Sequence, residues 1–191
     1  MQNLDKLVRN LIEGYTGNEQ LITQKTLANG WEVCQHRTRL VDDFLLRFFG
    51  ETLDGQDPEC LFVILATGGY GRKELCPNSD IDLILIDDNE VPKDNRFLRQ
   101  YDSSLLYAIP PNLGHTRMHN ALDEIPKFET LQICSLMDMR FITGQPELQN
   151  QVLAHLRKHT SPEQFVKDRV AEHYAEVAKY STNNSHPPFN L

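Results

Sequence analysis

The chain predicts a mixed α+β fold, and three observations carry that expectation. Apolar residues recur at helical spacing near both ends, two short runs rich in strand formers (LFVILA and LILI) lie between them, and a glycine turn separates the runs. The pattern describes a small mixed sheet flanked by N-terminal and C-terminal helices. We expect three stretches: residues 1–55 as a helical segment, 56–126 as the core and 127–191 as a second helical segment.

In the first stretch Leu4, Leu7, Val8, Leu11 and Ile12 share one face of a helix. A longer helix carries Trp31, Val33, Leu40, Val41, Phe44, Leu45 and Phe48 and ends near Gly50. The turn-rich GETLDGQDPEC then leads into a strand at 61–66. A second strand continues from the Asp80–Asp82 segment through 83–86; it is apolar on both faces and therefore central in a covered sheet. Asp87, Asp88 and Asn89 end it. A polar helix-like segment runs through Leu106, and Pro110-Pro111-Asn112 turns into a weaker strand at 113–119.

From there the pattern is helical again. Gln145-Pro146-Glu147 opens one helix. Ser161-Pro162-Glu163-Gln164 opens another, with Ser161 as cap and Gln164 as its reciprocal partner. Val166, Val170, His173, Tyr174 and Val177 give that last helix a stripe expected to pack on the core.

Composition narrows the function classes. With 191 residues, 40% of them hydrophobic, the chain can bury a sizeable core. No apolar stretch approaches the roughly 20 residues of a membrane span, and the start lacks the apolar run of a signal peptide, so a cytoplasmic protein is expected, without a membrane partner. A net charge of -8 argues against generic binding to nucleic acid, which needs clustered Lys and Arg. Cys34, Cys60, Cys76 and Cys134 form no C-x-x-C pair, so neither a zinc site nor a disulfide framework is indicated.

The chemistry concentrates in residues 67–86, TGGYGRKELCPNSDIDLILI. Gly68, Gly69 and Gly71 permit the backbone conformations with which a loop wraps a phosphate, and Arg72 and Lys73 add positive charge. Asp80 and Asp82 are two apart, so on an extended chain both carboxylates project from one face, about 7 Å apart at the backbone. Like charges so placed favour a cation between them, and oxygen-only ligands favour Mg²⁺ or Mn²⁺ over zinc. Two such ions can align a nucleophile with a nucleotide α-phosphate and neutralise the leaving pyrophosphate. The residues alone leave a plain tight turn and strand-capping carboxylates as alternatives.

Together these residues resemble the nucleotidyltransferase superfamily typified by DNA polymerase β, whose hallmark is a Gly-Gly or Gly-Ser turn followed by Asp-x-Asp on the next strand. Within it, GGYGRKELCPNSDIDLILI resembles the bacterial protein-PII uridylyltransferases, which share GGYGR, an EL pair and P-x-SDIDL in that order and spacing. LGHTRMHNALDE resembles that family's Gly-His strand, MDMRFITGQPEL its helix with Arg and Gly, and YSTNNSHPPFNL its Tyr-Asn-Leu segment. The resemblance implies a polymerase β-like core in which Gly68 and Gly69 hold a triphosphate, Ser79 donates to a phosphate oxygen, Arg72 meets phosphate or braces the turn, and Asp80 and Asp82 bind the metals. Lys73 stands where many of that family have glycine.

The activity so implied is transfer of UMP from UTP to a tyrosine of a PII-type nitrogen regulatory protein, with Mg²⁺ or Mn²⁺ as cofactor. An adenylyltransferase of the same fold and a non-catalytic nucleotide-binding regulatory module stay open. No obvious third carboxylate is offered; Asp102, Asp123 and Glu124 lack a motif, and Asp88 is too far along the strand. Tyr107, Ala108 and Met118 depart from the family pattern. The family's phosphohydrolase and glutamine-sensing domains do not fit in 191 residues, so a fragment or a short paralogue is expected.

Overall fold

Burial on both faces of two central strands organises the molecule, and the helices supply the covering layers. The computed structural model describes residues 2–23, 29–53, 62–88, 109 and 115–182. In chain order the elements are α1 (Gln2–Thr23), α2 (Gly30–Leu53), β1 (Phe62–Ala66), α3 (Gly68–Gly71), β2 (Ile81–Asp87), β3 (His115–Ala121), a 3-10 helix (Leu122–Lys127), α4 (Thr130–Met137), β4 (Arg140–Gly144), α5 (Pro146–His159) and α6 (Pro162–Thr182). The polar segment through Leu106, the Pro110-Pro111-Asn112 turn, Leu61, Asp102, Tyr107, Ala108 and residues 183–191 lie outside the described residues.

The four strands form one mixed sheet in the order β3-β2-β1-β4. β1 runs antiparallel to β2 and β4, and β2 runs parallel to β3. The expected small mixed sheet is therefore present, with the two apolar runs at its centre. Side-chain alternation sends successive strand residues to opposite faces. Phe62, Ile64, Ala66, Ile81, Leu83 and Leu85 join Leu11, Val41, Phe44, Leu45 and Phe48 of α1 and α2 in one core. Val63, Leu65, Ile84 and Ile86 join Leu136 of α4 and Leu148, Val152 and Leu156 of α5 in a second.

Several expectations are corrected. Within MDMRFITG, Arg140–Gly144 is a strand and not a helix: it pairs with β1 at the sheet edge, so the C-terminal stretch is not wholly helical. α2 runs through Gly50, which faces open space, and continues to Leu53. Trp31 is 55% exposed and takes no part in the α2 core face. The weak strand is present, described from His115, and runs on to Ala121. Asp87 is the last residue of β2, where the strand was expected to end, but it is paired within the sheet and buried against His119 of β3.

The largest difference concerns α6. Its stripe is solvent-exposed, with Val166, Val170 and Tyr174 at 58%, 48% and 69%. Helical periodicity shows that one face is apolar; it does not specify a neighbour to cover it. At its start Ser161 caps the Gln164 N–H at 3.4 Å, but the Gln164 side chain turns to Asp168 at 2.7 Å instead of reciprocating.

Candidate active site

The glycine turn sits where β1 ends and β2 begins, and its backbone is tied to both. Thr67 donates its N–H to the Asp82 carbonyl at 3.0 Å, and Gly71 donates to Thr67 O at 2.8 Å. Gly68 has φ +56, in the left-handed region, and a Cβ there would lie 2.9 Å from Asp82 Oδ2. Glycine is thus favoured by conformation, and a Cβ would in addition have to displace the Asp82 carboxylate. Gly71 is required by space: a Cβ would meet the Asp138 carbonyl at 2.3 Å. At Gly69 the nearest contact would be an ordinary 3.5 Å.

Residues 68–71 form one short helical turn, so the N–H groups of Gly68, Gly69 and Tyr70 have no partner within it. Those of Arg72, Lys73 and Glu74 close the turn on the carbonyls of Gly68, Tyr70 and Gly69. Lys73 and Asn78 adopt φ 63 and 66 without being glycine. The Lys73 value gives a backbone reason for the glycine that the resembled family carries there.

Four side-chain contacts hold the turn. Tyr70, buried, donates its hydroxyl to Asp42 of α2 at 2.6 Å. Arg140, the first residue of β4, grips both Asp42 oxygens at 2.9 and 3.1 Å and reaches the Tyr70 and Gly71 carbonyls at 3.3 Å. Burial, then the Asp42 charge, pushes the Tyr70 phenol well above its usual range, so it stays a donor. Arg72 pairs with Glu74 at 2.7 Å and with Asp138 at 2.6 Å, and these bonds raise its pKa. Gln35 of α2 donates to the Lys73 carbonyl at 2.9 Å.

Asp82 is half-buried and lines a cleft of about 110 Å³ with Thr67, Leu83, Ile84, Met118, Gln132 and Ser135. It lies two before Ile84 on β2, on the face that α4 covers. Asp80 and Ser79 are exposed and lie just before β2, so Asp80 is not a strand residue as expected. Glu124 is at the far end: it caps Ala121 N at 3.0 Å and bonds Asn120, contacts that lower its pKa. In the parallel register Asp82 is paired with Thr116, and β3 contains no Asp or Glu.

Among the described residues no group of three or more His, Cys, Asp or Glu is gathered to hold a cation. Asp82, half-buried, and Asp80, exposed, are oxygen donors of the kind a hard divalent ion takes, and two carboxylates would form only part of its shell. The rest of such a shell comes from substrate phosphate and water, as Mg²⁺ ordinarily takes it. Sequence reasoning missed Asp42, Asp138 and Gln132, which have no local motif; Arg140 was noted only within a segment read as helix.

The class that the motif describes is nucleotidyltransferase, and sequence comparison returns the same class by name. The chain is 28% identical over 161 residues to the bifunctional uridylyltransferase/uridylyl-removing enzyme of Nitrosospira multiformis, covering 80% of this chain and 18% of that protein. It is 33% identical over 125 residues to that of Pseudomonas savastanoi pv. phaseolicola, covering 62% of this chain and 13% of that protein. The chain thus spans less than a fifth of the length of the curated relatives it matches. No protein-family model matches. A toxin–antitoxin crystal structure with AMP-PNP overlays 66% of this chain and 98% of its own at 14% identity and a TM-score of 0.39, a likeness that carries no argument.

Proposed function

We propose that this chain is a nucleotidyltransferase unit that moves UMP from UTP to a tyrosine hydroxyl, with a PII-type signal protein as acceptor. The observation that carries the reading is the close approach of Asp82 Oδ2 to Gly68, which joins a carboxylate to a short helical turn whose first N–H groups have no partner within it. The base and the acceptor rest on the uridylyltransferase relatives and on the GGYGR and SDIDL strings.

In this reading the N–H groups of Gly68, Gly69 and Tyr70 bind triphosphate oxygens, and the Ser79 hydroxyl donates a further bond. Asp80 and Asp82 hold Mg²⁺ or Mn²⁺, which supplies charge neutralisation at the α-phosphate and the leaving pyrophosphate. The acceptor oxygen forms a bond to the α-phosphorus, the bond from that phosphorus to the bridging oxygen breaks with release of pyrophosphate, and the hydroxyl proton passes to solvent. Arg72 serves as a brace, since two carboxylates already engage it. We place the protein in the cytoplasm, with no nucleic-acid or membrane partner. Among the described residues no helix is long and apolar enough to cross a membrane.

The test is incubation with Mg²⁺, each α-labelled nucleoside triphosphate in turn and a PII protein. Label on the PII protein from UTP alone supports the reading. Transfer from ATP alone overturns the base assignment, and tight nucleotide binding without transfer overturns catalysis.

A further inference from the structure

The loop between the glycine turn and Asp80 carries a thiol that meets another thiol from α2. Cys34 is buried on α2, Cys76 is exposed, and their sulfurs stand 3.5 Å apart although 42 residues separate them in sequence. Neither takes part in the transfer chemistry. A disulfide needs a sulfur separation of about 2.05 Å, so closure requires a shift of roughly 1.5 Å. Residues 76–80 are all exposed, and the neighbouring helix already grips this loop through Gln35 and the Lys73 carbonyl. Of the two sides, the exposed loop is the one with fewer packed neighbours, since α2 is packed in the core.

We propose that Cys34 and Cys76 are a reversible thiol–disulfide pair, oxidised by a low-molecular-weight disulfide such as oxidised glutathione, that clamps the Ser79-Asp80 loop to α2. The exposed Cys76 thiolate attacks one sulfur of the oxidant, forming a mixed disulfide and releasing one glutathione. The Cys34 thiolate then attacks the Cys76 sulfur, forming the internal bond and releasing the second glutathione. Two protein thiols lose their protons and two electrons pass to the oxidant. Burial and the neighbouring Cys76 thiol hold Cys34 protonated more firmly than usual, which suits the second, resolving role.

The full chain is incubated with oxidised glutathione, and its intact mass and non-reducing peptide map are recorded. The expected product has lost two hydrogens, retains no glutathione, joins the Cys34 and Cys76 peptides, and reverts with dithiothreitol. Cys34→Ser should stop at a glutathione adduct on Cys76, and Cys76→Ser should leave Cys34 unmodified. A glutathione adduct persisting on Cys76 of the unsubstituted chain, a bond to Cys60 or Cys134, or no oxidation overturns the pair.

The clamping role rests on the proposed nucleotide site and has its own readout. UTP affinity should fall at least several-fold on oxidation and return on reduction; an internal bond that leaves affinity unchanged overturns the clamp. A reduced chain that binds no nucleotide contradicts the proposed function and leaves the thiol chemistry standing.

Discussion

Gly68 is the residue at which backbone and chemistry meet. Its left-handed φ and the Asp82 oxygen 2.9 Å from its missing Cβ act in the same direction. Gly68→Ala should destabilise the chain by about 1–3 kcal/mol, measured by urea unfolding, whereas Gly69→Ala should change stability far less. Lys73 presents the converse. Its φ of 63 costs energy that glycine avoids, and Lys73→Gly should raise the unfolding free energy by up to about 1 kcal/mol even though glycine is more flexible when unfolded. Both glycines and the SDID string were readable in sequence because they are local. Asp42 and Arg140 were not, since the bond between them spans 98 residues and leaves no spacing to detect.

Among the elements, β4 and α2 share the work of fixing the turn. Arg140→Ala removes both bonds to Asp42 and leaves that carboxylate half-buried with only the Tyr70 hydroxyl among its bonds described above. We expect a loss of about 2–3 kcal/mol by denaturant unfolding, with Asp42→Asn and Arg140→Ala clearly non-additive in the double variant. The central strands were legible because FVILA and LILI are buried on both faces and must be continuously apolar. RFITG was not: it is short and at an edge, and Ile142 is its one buried side chain. The apolar stripe of α6 was legible as a stripe, but Val166, Val170 and Tyr174 stay exposed on it.

Across the whole molecule the two cores pin the sheet between helix layers, and the proposed site occupies one end of it. The opposite end carries the Glu124 cap and the Asp87–His119 pair. Because the Glu124 pKa is lowered in the fold, its contribution to stability is present above its usual value of 4.5 and is lost as pH falls through the lowered value. Glu124→Gln should therefore flatten the acid limb of a stability–pH profile below about that pH, without touching nucleotide binding at the other end. The α+β class and its flanking helices were plain from the sequence; the packing of those helices depends on long-range partners that no single segment encodes.

The central claim is that Asp82, seated on the glycine turn, makes this end of the sheet a nucleotidyl-transfer site. The most direct measurement is label transfer from α-labelled UTP to a PII protein by the unsubstituted chain and by Asp82→Asn, with unfolding curves confirming that both are folded. The account predicts transfer by the first and a loss of about 10³-fold or more in the second. Equal rates from the two folded proteins would contradict it.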